Sequence, residues 1–179
     1  MVVSDGGSHD GGGTDGAGTA ILTISPTSNP FGDQVVGSQS ADVTFTITNS
    51  GTVASGVPTL TFSGDTTEFV ATPGAGCTGV IAPAGTCVFT VAFKPTSVGA
   101  KSVTATGNAT PGNLVTATVT GTGVADAALT IDPLMQGFGS IGLGKDSSDA
   151  IFTVTNEGGV DSGALASTIT GTDEFHIIT

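Results

Sequence analysis

At 179 residues the chain has room for one or two domains, and 37% hydrophobic residues with 29 glycines fit small all-β units. Three lysines and no arginine stand against 15 acidic residues, a formal net charge of −12. Nucleic-acid binding draws on Lys and Arg contacts to phosphate, so that function is excluded, and docking on anionic lipid is disfavoured for the same reason. No run approaches the roughly 18 apolar residues that a membrane-spanning helix needs, so no membrane insertion is expected in this segment. The first residues show neither a basic nor an apolar signal region, which leaves the compartment open.

The span Met1–Thr19 reads as a flexible Gly/Asp-rich tether, because Asp5-Gly6-Gly7, Asp10-Gly11-Gly12-Gly13 and Asp15-Gly16 offer nothing to a core. Its aspartates lack the alternating spacing of a calcium loop, so an acidic linker is the reading adopted. Strands follow. Ala20–Ser25 sets Leu22 and Ile24 on one face, and Val43–Thr48 is a strict period-2 run with apolar residues at odd positions and threonine at even ones. Such a pattern means one buried face and one wet face. Cys87–Phe93 places Cys87, Phe89, Val91 and Phe93 together; Lys101–Thr106 and Leu114–Thr120 continue the alternation, with Val115, Ala117 and Val119 inward. Between them lie turn signals at Asn49-Ser50-Gly51, Ser63-Gly64-Asp65, Pro83-Ala84-Gly85, Pro95 and Pro111-Gly112-Asn113. Strands of about six residues broken every 8–12 residues indicate a sandwich or barrel, and no segment has a helical period. The expected core is Leu22, Ile24, Phe31, Val43, Phe45, Ile47, Leu60, Phe62, Phe69, Phe89, Val91, Phe93, Val103, Val115 and Val119.

From Ala128 the chain repeats itself at an offset of 107 residues. Leu22-Thr23-Ile24 returns as Leu129-Thr130-Ile131, Phe31-Gly32 as Phe138-Gly139, and Phe45-Thr46-Ile47-Thr48-Asn49 as Phe152-Thr153-Val154-Thr155-Asn156. Gly51 returns as Gly158, Ser55-Gly56 as Ser162-Gly163 and, after a one-residue deletion, Glu68-Phe69 as Glu174-Phe175. A period near 100 residues suits a tandem array of whole domains. The expected organisation is a tether over 1–19, a complete sandwich over 20–123, a linker over 124–127 and an incomplete second copy over 128–179. Half a sandwich leaves an apolar face and open strand edges, so the simplest expectation is a fragment of a longer array; its rival is strand donation by a neighbouring subunit.

Leu22-x-Ile24-x-Pro26, Phe31-Gly32, the Thr44–Gly51 strand and turn, the Cys77…Cys87 pair and the run Phe93-Lys94-Pro95-Thr96-Ser97-Val98-Gly99 together resemble the bacterial choice-of-anchor D repeats. These are similar in turn to the ASPM–SPD-2–Hydin immunoglobulin-like domains. The resemblance covers Ala20 to about Gly123 fully and Ala128 to Thr179 in part. It implies an immunoglobulin-like antiparallel β-sandwich in a surface or secreted multi-domain protein, and it carries over no catalytic residue.

Cys77 and Cys87, the only cysteines, could pair across a hairpin around Pro83-Ala84-Gly85; two reduced, partly buried thiols are the alternative. A disulfide would point to an oxidising compartment. No His lies near to complete a zinc site, and the spacing is not that of a redox motif. Gly137-Phe138-Gly139-Ser140-Ile141-Gly142 matches the dinucleotide-binding string, but no helical pattern follows to hold a pyrophosphate. Ser8-His9-Asp10 holds triad residue types as neighbours in a tether, where triad geometry cannot be kept. His176 is expected on a strand, facing solvent. Lys94, Lys101 and Lys145 raise an isopeptide crosslink, against which Lys94 sits opposite Phe93 and points to water. The absence of Trp and Tyr counts against sugar stacking, and Asn108-Ala109-Thr110 is a glycosylation sequon relevant only to a eukaryotic host.

The expectation is therefore a non-enzymatic extracellular or cell-surface module, a spacer or adhesion-type repeat, with no catalytic residue, cofactor or metal. Its partners would be neighbouring repeats, another protein or a surface polymer. The alternatives are a polymer-binding accessory domain of a secreted hydrolase and an intracellular cytoskeleton-associated scaffold.

Overall fold

The computed structural model describes residues 18–171 and 174–178. Eight strands build two facing sheets: β1 (Leu22–Ser25), β2 (Ser28–Val35), β3 (Val43–Asn49), β4 (Thr59–Gly64), β5 (Phe69–Pro73), β6 (Thr86–Phe93), β7 (Gly99–Asn108) and β8 (Val115–Val124). One sheet runs β1-β3-β6-β5 and the other β2-β8-β7-β4. A single 3-10 turn, Thr66–Glu68, is the only helical element among the described residues. The fold is an immunoglobulin-like β-sandwich. One pairing departs from the expected antiparallel arrangement: β2 lies parallel to β8, with its register shifted between Pro30 and Asp33. That follows from the chain leaving the first sheet after β1 and joining the edge of the second.

Period-2 alternation explains the layers. β3 buries Phe45 and Ile47 while its threonines line the outer face, and β8 buries Val115, Ala117 and Val119. Every residue of the expected core lies in the buried cluster or packs on it; Phe31, Val43, Leu60 and Phe62 are the partly buried members. The sandwich is held by phenylalanine. Phe45 stacks on its cross-strand partner Phe89 with centroids 5.3 Å apart, Phe62 meets Phe89 edge-on at 6.0 Å, and Phe69 and Phe93 lie 4.9 Å apart. Such pairs add about 0.5–1.5 kcal/mol beyond the area they bury. Gly121 on β8 makes room for this cluster, since a Cβ there would lie 2.5 Å from Cε1 of Phe93.

Beyond β8, β9 (Leu129–Asp132) and β10 (Thr153–Asn156) form a two-stranded antiparallel sheet. Its register of Leu129 on Asn156 and Ile131 on Val154 is that of Leu22 on Asn49 and Ile24 on Ile47. The burial differs completely. Leu22, Ile24, Phe45 and Ile47 are at most 8% exposed, whereas Leu129, Ile131, Phe152 and Val154 are 45–48% exposed.

Candidate functional site

The Cys77–Cys87 pair forms the disulfide, with Cα atoms 4.7 Å apart. Cys87 lies near the start of β6 opposite Ile47, and Cys77 sits in the β5–β6 connection, so the bridge clips that loop onto the interior strand β6. Cys87 is fully buried and Cys77 nearly so.

Two polar centres in the sandwich lie outside the residues singled out from sequence. The first is Asn49, at the end of β3 and without solvent exposure. Its Oδ1 accepts from Ile21 N–H (3.1 Å) and Gly51 N–H (3.0 Å), and its Nδ2 donates to the carbonyls of Val53 (2.7 Å) and Ile81 (2.9 Å). A single amide thereby satisfies four backbone groups, as burial demands. Ser55 completes the arrangement. Its N–H donates to Ile81 C=O (2.9 Å), and its Oγ accepts from Ile81 N–H (3.1 Å). Ile81, in a loop, is thus held through both backbone groups with its side chain buried. Gly51 is required because a Cβ there would fall inside the Thr19 carbonyl.

The second centre is Glu68, which closes the 3-10 turn and is buried. Oε2 accepts from Thr96 N–H (2.5 Å) and Oε1 from Thr96 Oγ1 (2.7 Å) and Ser97 Oγ (3.4 Å), while Lys101 Nζ stands 3.8 Å from Oε1. The backbone N–H of Thr96 does most to hold this carboxyl below its usual pKa, followed by the Thr96 hydroxyl; burial opposes them, and Lys101 and Ser97 assist. The centre ties the β6–β7 turn to β5.

Much of the Asn49 geometry returns 107 residues later. Asn156 Oδ1 accepts from Ala128 N–H (3.1 Å) and Gly158 N–H (3.0 Å), and Nδ2 donates to Val160 C=O (2.7 Å). A Cβ on Gly158 would fall inside the Asp126 carbonyl, as one on Gly51 would at Thr19. Phe138 and Phe175 lie 5.7 Å apart, matching Phe31 and Phe69 at 6.4 Å. The two phenylalanines border an open trough of about 1480 Å³.

The dinucleotide-like string Gly137–Gly142 lies in irregular chain, and no helix opens after it. His176 is exposed, as expected, but in irregular chain and not on a strand. Lys94 is exposed, and Lys101 is engaged with Glu68 and with Ser97 Oγ (2.7 Å). Asn108 ends β7 in solvent. Ser8, His9 and Asp10, with the tether up to residue 17, lie outside the described residues. Among the described residues no group of three or more His, Cys, Asp or Glu side chains converges to hold a metal, and no helix is long and apolar enough to cross a membrane.

No protein-family model matches the chain, and no curated protein matches it in sequence. Among solved structures it is similar to the ASH/PapD-like domain 7 of human CEP192, at 14% identity and a TM-score of 0.43 over 59% of this chain and 86% of that one. It is also similar to the secreted serine protease VesC of Vibrio cholerae, at 21% identity and a TM-score of 0.44 over 60% of this chain and 24% of the protease. For the Vibrio cholerae VesB protease the figures are 18% and 0.45, over 56% of this chain and 31% of the protease. The chain spans less than a third of either protease.

Proposed function

We infer that the chain is a non-enzymatic, choice-of-anchor D-like repeat that spaces or presents other parts of a surface or secreted bacterial protein. The observation that carries this reading is what recurs at the 107-residue offset. Leu129, Ile131, Phe138, Phe152, Asn156, Gly158, Ser162 and Phe175 match residues that pack the sandwich or tie its turns, and none matches an exposed side chain with chemistry of its own. Recurrence of architecture alone is what an array needs when each unit is a structural element. The buried disulfide supports an oxidising compartment, since bridges of this kind rarely persist against cytosolic thiols.

Three measurements on the full-length gene product in its own host test the reading. Cells lysed under a thiol-blocking reagent should yield the chain with Cys77 and Cys87 bridged, and protease added to intact cells should remove it. Replacing 20–123 with an unrelated β-sandwich of similar length should leave presentation of the rest of the protein unchanged. Recovery from cytosol with both thiols blocked would favour the intracellular scaffold instead. Loss of polymer binding on replacement would favour the accessory role.

A further inference from the structure

We propose that the uncharged end of the first sandwich is a self-docking surface, on which a second copy of this chain packs end to end. Between residues 18 and 125 the charged side chains are Asp33, Asp42, Asp65, Glu68, Lys94 and Lys101. All of them lie toward one end of the sandwich, where β2, β4, β6 and β8 finish and β3, β5 and β7 begin. The opposite end is made of the start of β1 and the loops 50–58, 74–85 and 109–114, and it contains no charged residue. Ile21, Val53, Val57, Val80 and Leu114 stand there 37–60% exposed. Exposed aliphatic side chains scattered singly are ordinary on a protein surface. Gathered at one end, with the charges of the sandwich at the other, they form a patch.

The end is also stiff. Asn49 and Ser55 join the loops 50–58 and 74–85, the Cys77–Cys87 bridge holds the latter to β6, and Gly56 N–H donates to Pro111 C=O (2.7 Å). Asn113 ties the third loop to β1, accepting from Leu22 N–H (2.6 Å) and donating to Leu22 C=O (3.1 Å). A surface fixed before contact loses little freedom on docking. The second segment shows that this character is not what a unit needs in order to follow another. Beside its junction with β8, where Gly159 N–H donates to Ala125 C=O (3.2 Å), the counterparts of Thr19, Ser50 and Ala54 are Asp126, Glu157 and Asp161. Those of Ile21 and Val57 are Ala128 and Ala164. The end that follows another unit is thus acidic and small, whereas the end reached through the Gly/Asp-rich span Met1–Thr19 is neutral and aliphatic. Charge favours a second copy as the occupant. At −12 the chain repels its own copy, while an uncharged patch meets itself without opposing like charges, as a twofold contact requires. β8 runs away from this end, so the chain beyond Val124 leaves on the far side.

The test is sedimentation equilibrium of the whole chain with its disulfide intact. The expected result is a reversible monomer–dimer equilibrium with a dissociation constant of about 10⁻⁵–10⁻³ M, as suits a contact at the small end of specific interfaces, tightening as salt screens the net charge. Val57→Asp and Val80→Asp each place two carboxylates in a twofold contact and should weaken it about tenfold or more. Both side chains are exposed, so circular dichroism and urea midpoints should stay unchanged while the dimer is lost. Leu143→Asp, fully exposed in the second segment, should leave the constant as it was. Amide exchange compared at high and low concentration should slow in 50–58, 77–81 and 109–114 and not in β9 or β10. A chain that stays monomeric up to about 1 mM, dimers indifferent to Val57→Asp and Val80→Asp, association lost with Leu143→Asp, or protection confined to 129–156 would each overturn the proposal. So would binding of phosphatidylcholine vesicles by a chain that remains monomeric, which would assign this end to a neutral bilayer. The experiment is indifferent to compartment and to spacing, so its outcome is separable from the spacer reading.

Discussion

Asn49→Ala tests how the sandwich is pinned. The substitution strips partners from Ile21 N–H, Gly51 N–H and Val53 C=O, while Ile81 C=O keeps the N–H of Ser55. A buried group left without a partner costs about 1–3 kcal/mol. Water can reach some of the part-buried bonds at the end of the sheet, so the expected loss is about 3–4 kcal/mol, a large part of the roughly 5–15 kcal/mol typical of a domain. Asn156→Ala removes the same kind of bonds from an exposed residue, where water replaces them, and should cost about 0.5 kcal/mol or less. The chain has neither Trp nor Tyr, so urea unfolding is best followed by far-UV circular dichroism, with residue-resolved hydrogen exchange separating the sandwich from β9 and β10. The urea midpoint of Asn49→Ala should fall with its slope unchanged. A loss below about 1 kcal/mol, or an equal loss from Asn156→Ala, would refute the argument that burial sets the worth of this amide.

Acidification should weaken the sandwich through Glu68. Because the folded-state pKa lies below the unfolded one, its contribution is present above the unfolded value of 4.5 and is lost as pH falls through the folded value. Urea midpoints measured downward from about pH 6 should therefore drop below about pH 4.5, and Glu68→Gln should flatten that part of the curve; an unchanged curve would remove Glu68 from the account. Reduction of Cys77–Cys87, which closes a loop of separation 10, should cost about 3 kcal/mol on the chain-entropy model, read as the difference between urea midpoints with and without reductant. Bridged sulfurs present no thiol, so alkylation of the protein unfolded in urea without reductant should label neither cysteine; two labelled thiols would contradict the bridge.

What was legible in the sequence was whatever period 2 controls. β3, β6, β7 and β8 alternate cleanly, so their inward residues follow from the alternation alone, and the turn residues between them mark where they end. β2 was not legible as a strand. Its Ser28–Val35 run contains Pro30 and Gly32, has no alternation, and owes its place to parallel pairing with β8 across a register shift. Ile81 was missed because it sits in a loop and is buried through its backbone contacts with Ser55 and Asn49. Asn49, Ser55 and Glu68 read locally as turn and surface residues, yet all three are buried. The signal that could have found them was present: each recurs in the second segment, as Asn156, Ser162 and Glu174.

That recurrence has a physical cause in the threonine-rich strands themselves. A slip of one residue between β1 and β3 would turn every apolar side chain to water and is forbidden by burial. A slip of two would keep Leu22 and Ile24 inward and threonines outward, so alternation alone permits it. Asn49 forbids it, because its amide fits the N–H of Ile21 and Gly51 together with the carbonyls of Val53 and Ile81 in one register only. Gly51 adds a steric condition, since only a residue without Cβ passes under Thr19. Asn156 and Gly158 impose the same two conditions on β9 and β10, where burial is too slight to set register. In the sandwich hydrophobic burial and polar pinning act together; in the second segment the pins act with little help from burial.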